Sequence, residues 1–354
     1  MTEQTRSSQF AVRTSLLGHG NLTMFMTLAI VLAVLPVVVT NNYHLGILVF
    51  VGLNTMLTVG LSLLMGYTGQ ISLGHAVFYG SGAYITGLLT TRFGWSPWPA
   101  VAVAALVTAG LAYFIGIPIF RLRGHYLAMA TLGLNIILEA VLITETEWTG
   151  GPNGMLSIPR LAVGNWVLKS DRSYYYVVWI FALIILALSL NIVNSRVGRA
   201  LRAVHASELA AASMGVDVEA FKLKVLVLSA IYASLAGSLF AFYLRIVTPG
   251  SFNFIFSIQL VVMVAIGGLA SIWGAIFGAA TVTLLSEVLR NVMPHLVRGA
   301  SAEVEILAFG IILVVIMVFM PEGLTTGIVN RVRRWRGVGE PWADESLTEE
   351  SAER

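Results

Sequence analysis

Apolar residues run along this chain in long uncharged blocks, with neither the alternation of a half-buried strand nor the single stripe of a water-facing helix. Ten such blocks stand out, at 22–40, 45–65, 71–90, 99–120, 126–146, 174–194, 225–246, 254–269, 273–289 and 304–320. Most are long enough to cross about 30 Å of hydrocarbon as a helix. The third, eighth and ninth are short or glycine-rich. The pattern predicts an all-α polytopic membrane protein with about ten transmembrane helices. The flanks define an N-terminal segment (1–21), a membrane domain (22–320) and a polar tail (321–354).

Composition supports the same class. With 57% hydrophobic residues, 11% charged residues and a mean hydropathy of +0.84, the surface cannot face water throughout, so its solvent is lipid. Arg6 and Arg13 precede the first block without a small-residue cleavage site, so that block is read as a retained helix. Further basic residues fall in alternate loops at Arg121/Arg123, Arg196/Arg199/Arg202, Lys222/Lys224 and Arg331/Arg333/Arg334/Arg336. Short basic loops stay cytoplasmic, which places both termini inside. The tail turns from basic to acidic and is expected to be a solvated, poorly ordered end beside the lipid head groups.

Candidate chemistry is sparse. There is no cysteine, and the six histidines show no ligand spacing, so no metal site is expected. No P-loop, HExxH pattern or Ser-His-acid set occurs. The chain is therefore expected to have no catalytic residues and no cofactor of its own, and nothing suggests a nucleic-acid partner.

Polar and glycine positions inside the blocks narrow the search. Residues 66–82 hold five glycines, which permit close helix approach and also break helices. Gln70, Ser72, Gly74 and His75 are candidate pathway residues, joined by Asn135 and Glu139 one helical turn apart. Tight packing through Gly74/Gly82 and Gly80/Gly87 accounts for the glycines equally well. A second cluster at 266–278 echoes the first and suggests two related five-helix halves. Glu287 and Arg290 read as a local pair, and Arg245 as a residue snorkelling to the outer surface. The outer turn Gly150, Gly151, Pro152, Asn153, Gly154 reads as a rigid loop or as a docking surface for an external donor protein.

The segment 195–224 interrupts the hydrophobic blocks with an alanine-rich, mixed-charge stretch. A polytopic protein gains little from a short amphipathic helix in water unless a soluble partner presses on it. Read as one helix, it brings Arg199 and Arg202 to one face and continues through Glu208, Ala210, Ala211 and Met214 to a terminating Gly215. The spacing E-x-A-A-x-x-x-G resembles the coupling helix of ABC importer permeases, with the glutamate one position off its usual register. Four further motifs extend the likeness: Gly66-Tyr-Thr-Gly-Gln-Ile-Ser-Leu-Gly-His-Ala, Leu122-Arg-Gly-His-Tyr-Leu-Ala-Met-Ala-Thr-Leu-Gly133, Thr149-Gly-Gly-Pro-Asn-Gly154 and Val264-Ala-Ile-Gly-Gly-Leu-Ala-Ser-Ile-Trp-Gly274. Together with Gly198-Arg-Ala-Leu-Arg-Ala203 they resemble the LivM-type permeases of branched-chain amino acid importers. Val204-His-Ala-Ser-Glu208 and Leu134-Asn-Ile depart from the family pattern.

The resemblance implies a bacterial inner-membrane subunit that forms half of a pathway for branched-chain amino acids, urea or short amides. It also implies a second homologous permease, two cytoplasmic ATPases that use ATP, and a periplasmic or lipid-anchored binding protein. The alternative class is a secondary transporter or channel, for which Glu139, His75 and Glu287 are the candidate coupling groups.

Overall fold

The structure is a computed structural model that describes residues 19–122, 124–164, 166–296 and 310–311. The tenth predicted block, the tail and the first eighteen residues lie outside the described residues. The helices are α1 (His19–Val38), α2 (Asn42–Thr68), α3 (His75–Thr91), α4 (Pro97–Ile119), α5 (His125–Thr144), α6 (Thr146–Thr149), α7 (Asp171–Asn194), α8 (Arg196–Ala206), α9 (Glu208–Ser213), α10 (Val218–Leu244), α11 (Phe254–Gly267) and α12 (Ile272–Leu296). Among the described residues, strand is confined to a hairpin of two-residue strands, β1 (Ala162–Val163) and β2 (Trp166–Val167). Eight helical segments are long and apolar enough to cross a membrane, and α3, at 17 residues, falls just short of that length.

Two 27-residue helices, α2 and α10, form the centre, each with 78% of its most apolar window buried. Around them, α7 and α12 pack on α2, and α3 and α4 pack on α10. Lipid tails are as apolar as a leucine side chain, so small residues and polar contacts must hold such helices together. A Cβ on Gly237 of α10 would lie 2.0 Å from the carbonyl oxygen of Tyr79 in α3. One on Gly82 would lie 2.4 Å from that of Ser234. The two helices therefore meet backbone to backbone. Buried hydroxyls reinforce the contacts: Thr86 and Ser238 are 2.7 Å apart, Thr108 donates to Ser234 at 3.2 Å, and Thr58 donates to the Ala275 carbonyl at 3.1 Å.

Outer helices use the same device. Pro36 inside α1 has no N–H for the carbonyl of Leu32, and the Tyr175 hydroxyl of α7 donates to that oxygen at 2.9 Å.

The third predicted span begins four residues later than the hydropathy block suggests, at His75 rather than residue 71. Gly69, left-handed at φ +71°, ends α2, and the Gln70 N–H reaches back to the Leu64 carbonyl at 3.2 Å. A non-helical segment, 69–74, follows. The two glycine clusters meet in space: a Cβ on Gly66 would sit 1.6 Å from the Leu269 carbonyl oxygen, and Ser62 donates to that oxygen at 3.0 Å.

Candidate functional site

The mixed-charge segment folds as two helices, not the single helix its composition suggests. Ser207 adopts extended backbone (φ −162°, ψ 114°), and its hydroxyl accepts the Ala210 N–H at 3.3 Å, capping α9. Serine competes for backbone donors in this way, so a helix readily restarts at it. At the other end, Gly215 sits at φ +83°, its N–H bonds to the Ala212 carbonyl at 3.0 Å, and the Val216 N–H bonds to Ala211 at 3.1 Å. This is a Schellman closure, as the terminating glycine predicts.

Leu201 and Val204 of α8 are buried, and α8 packs against α2 and α7. Gly198 is needed at the α7–α8 corner, where a Cβ would lie 2.0 Å from the Val193 carbonyl oxygen. Arg199 is exposed, while Arg202 donates to that same Val193 carbonyl at 3.1 Å. Ala211 is buried. Ala210, Met214 and Gly215 are exposed. Leu209 of α9 and its C-cap Met214 are each 84% exposed, so two large apolar side chains stand uncovered on this element. Leu209 escaped the sequence reading, although a leucine beside Glu208 in a polar stretch was the available signal.

Glu208 joins the two candidate regions. Its Oε1 accepts from the buried Lys222 Nζ of α10 at 2.6 Å and from Gln70 Nε2 in the non-helical segment at 3.4 Å. Beyond Gln70, that segment satisfies its backbone within the protein. Leu73 N–H donates to Thr131 Oγ1 at 3.0 Å, and Ala76 N–H donates to Ser257 Oγ at 3.1 Å. The same serine accepts from Asn135 Nδ2 at 2.9 Å, so α3, α5 and α11 converge on it.

His75 is fully buried without a hydrogen-bond partner on either ring nitrogen, and Asn135 Oδ1 is likewise unmet. Gly74 serves packing, since a Cβ there would lie 2.5 Å from the Thr131 carbonyl oxygen. Gln70, Ser72 and Gly74 border a void of about 20 Å³, room for about one water, and Gln70 also lines a cavity of about 340 Å³ with Glu208 and Lys222. Glu139 is half-buried on α5 and joins none of the described hydrogen bonds or ion pairs. Among the described residues, no three His, Asp or Glu side chains gather as metal ligands.

The family described as "Branched-chain amino acid transport system / permease component" matches residues 43–320. The chain belongs to this family. It is 31% identical over 324 residues to the high-affinity branched-chain amino acid transport system permease protein LivM of Escherichia coli K12, covering 85% of this chain and 74% of that protein. It is 25% identical to LivH of the same organism, covering 76% of this chain and 90% of LivH. BraD of Pseudomonas aeruginosa gives the same identity and coverage. Among solved structures, a chain of PsaBC from Streptococcus pneumoniae in complex with Fab matches at TM-score 0.38 and 16% identity, covering 77% of this chain and 89% of that one.

At the end of the permease opposite α8 and α9, the turn at 150–154 is rigid. Gly150, Gly151 and Gly154 all have positive φ, and a Cβ on Gly154 would lie 2.2 Å from the Val247 carbonyl oxygen. Thr149 Oγ1 donates towards the Leu142 and Glu145 carbonyls and accepts the Gly151 N–H. Pro152 and Asn153 are exposed at its tip. Arg245 does more than snorkel: its Nε donates to the Ile158 carbonyl at 3.3 Å, and Met155 bridges to Val247, tying this loop to the end of α10. The expected Glu287–Arg290 pair does not form. Glu287 instead accepts from the Tyr43 hydroxyl of α2 and from Asn291 Nδ2.

Proposed function

We propose that this permease forms half of the translocation pathway of an ABC importer for branched-chain amino acids. It works with a second homologous permease, two cytoplasmic ATPases and a binding protein. The observation that carries this reading is the α8–α9 element, which offers exposed Leu209 and Met214 while Glu208 links it to α10 and to the break after α2. Force applied to α9 then reaches both central helices. ATP-driven closure of the ATPases presses on this element and the bundles reorient, passing solute inward.

In this reading the chain spans the inner membrane ten times with both termini cytoplasmic. Packing supports two related halves: α12 and α11 lie against α2 much as α4 and α3 lie against α10. The 150–154 turn, on the opposite face, receives the binding protein. Glu139, His75 and Glu287, the candidate coupling groups, sit on α5, α3 and α12 and do not gather into one cluster, so nothing here favours the secondary-transporter reading.

Affinity purification of the chain from its native membrane, with mass spectrometric identification of what accompanies it, tests the assignment. Two ATPase subunits and a second permease are expected. A chain that reproducibly comes alone while still binding solute overturns it.

A further inference from the structure

A second cavity lies at the end of the bundle opposite α8 and α9. It has a volume of about 690 Å³ and lies where α2 and α7 begin and α10 ends, with Gln259 of α11 and the later turns of α12 completing its wall. Pockets that hold small organic ligands span about 300–1,000 Å³.

Its charges are of both signs and are not neutralised against each other. Glu287 is oriented by Tyr43 and Asn291, and Asp171 and Tyr243 line the same cavity. Arg290, one turn beyond Glu287 on α12, lines the same cavity and has no ion-pair partner among the described residues. Ile47 and Phe50 supply an apolar wall.

We infer that this cavity is an entry site for a zwitterionic amino acid, with the ammonium group between Glu287 and Asp171, the carboxylate on Arg290 and the side chain against Ile47 and Phe50. The inference rests on the importer reading and adds to it a place and a recognition chemistry. A neutral amide has no use for opposed charges, and an ion of either sign would meet a like charge here. A zwitterion satisfies both, and charge-assisted hydrogen bonds to both ends fix its orientation.

The absence of cysteine from the sequence allows a direct test in the complete importer, reconstituted with its partner subunits and binding protein. Ser286→Cys places a thiol on the cavity wall, and its reaction with a membrane-impermeant methanethiosulfonate is followed by the mass of this chain. Leucine should slow the labelling several-fold, whereas leucinamide, which lacks the carboxylate, should not. Arg290→Gln should remove the protection and raise the KM for leucine uptake by about tenfold or more, the loss expected for a charged hydrogen bond. If Ser286→Cys does not assemble, Gln259→Cys on the facing helix takes its place.

Labelling unaffected by leucine in an importer that still takes leucine up overturns the site and leaves the importer reading standing. A thiol that never reacts overturns it too, because the cavity is then closed to water. An unmodified importer that transports amides and no amino acid overturns the substrate reading, and the site falls with it.

Discussion

Lys222 is a buried ammonium whose described partner is a half-exposed carboxylate, and the two ends of that ion pair are unequal. Removing Lys222 leaves Glu208 able to find water. Removing the charge of Glu208 strands an ammonium in low dielectric, which costs several kcal/mol when nothing answers it. Glu208→Gln should therefore destabilise the purified protein by about 3 kcal/mol, and Lys222→Met by about 1 kcal/mol or less. The double variant should recover most of the difference. Thermal unfolding in detergent measures all three, and equal losses for the two single variants would mean that Lys222 is hydrated. Glu208 stood out in the sequence through its spacing to Ala210, Ala211 and Gly215. Its partners did not, because Lys222 and Gln70 lie 14 and 138 residues away, and periodicity reports contacts along one helix, not between helices.

The α8–α9 corner shows which local signals survive folding and which do not. Gly215 was legible as a helix terminator because the left-handed position at φ +83° favours glycine. Ser207 was not legible as a break, since a serine between two alanine-rich stretches reads as a spacer until its hydroxyl is seen capping α9. Nothing lies within 4 Å of a Cβ built on Gly215, so Gly215→Ala should carry only the backbone cost of about 1–2 kcal/mol. Gly215→Arg carries that cost and adds a bulky charge at the proposed ATPase docking surface. The alanine variant should retain most uptake while the arginine variant, equally well inserted, loses it. Uptake lost in both would place the defect in the fold and not in docking. Gly74 tells a related story: the sequence allows lining or packing, and a Cβ there would lie 2.5 Å from the Thr131 carbonyl oxygen, an approach that packing requires and the sequence alone does not display.

For the whole molecule, block hydropathy located the eight helices among the described residues that are long and apolar enough to cross a membrane, because a span needs only length and the absence of charge. It misplaced the start of α3, where glycines and Thr131 and Ser257 allow backbone to leave the helix while still buried. Leu209 and Asn153 lie at opposite ends of the bundle, and the proposed orientation puts Leu209 on the cytoplasmic side. Leu209→Cys should react with an impermeant thiol reagent only from the cytoplasmic side, and less so once ATPases are bound. Asn153→Cys should react only from outside. Both reacting from the same side would refute the topology.

Pro36 bears on how the chain is made. Tyr175, which answers the orphaned Leu32 carbonyl, is synthesised 143 residues after it. Until α7 emerges from the ribosome, the first helix carries an exposed polar oxygen that lipid cannot satisfy, a burden of several kcal/mol. The prediction is that α1 lingers at the insertion machinery: crosslinks between them should persist in nascent chains stopped before Asp171 and disappear once Asn194 has cleared the membrane. Release of α1 equally early in the shorter chains would show that bilayer water or head groups serve the carbonyl instead.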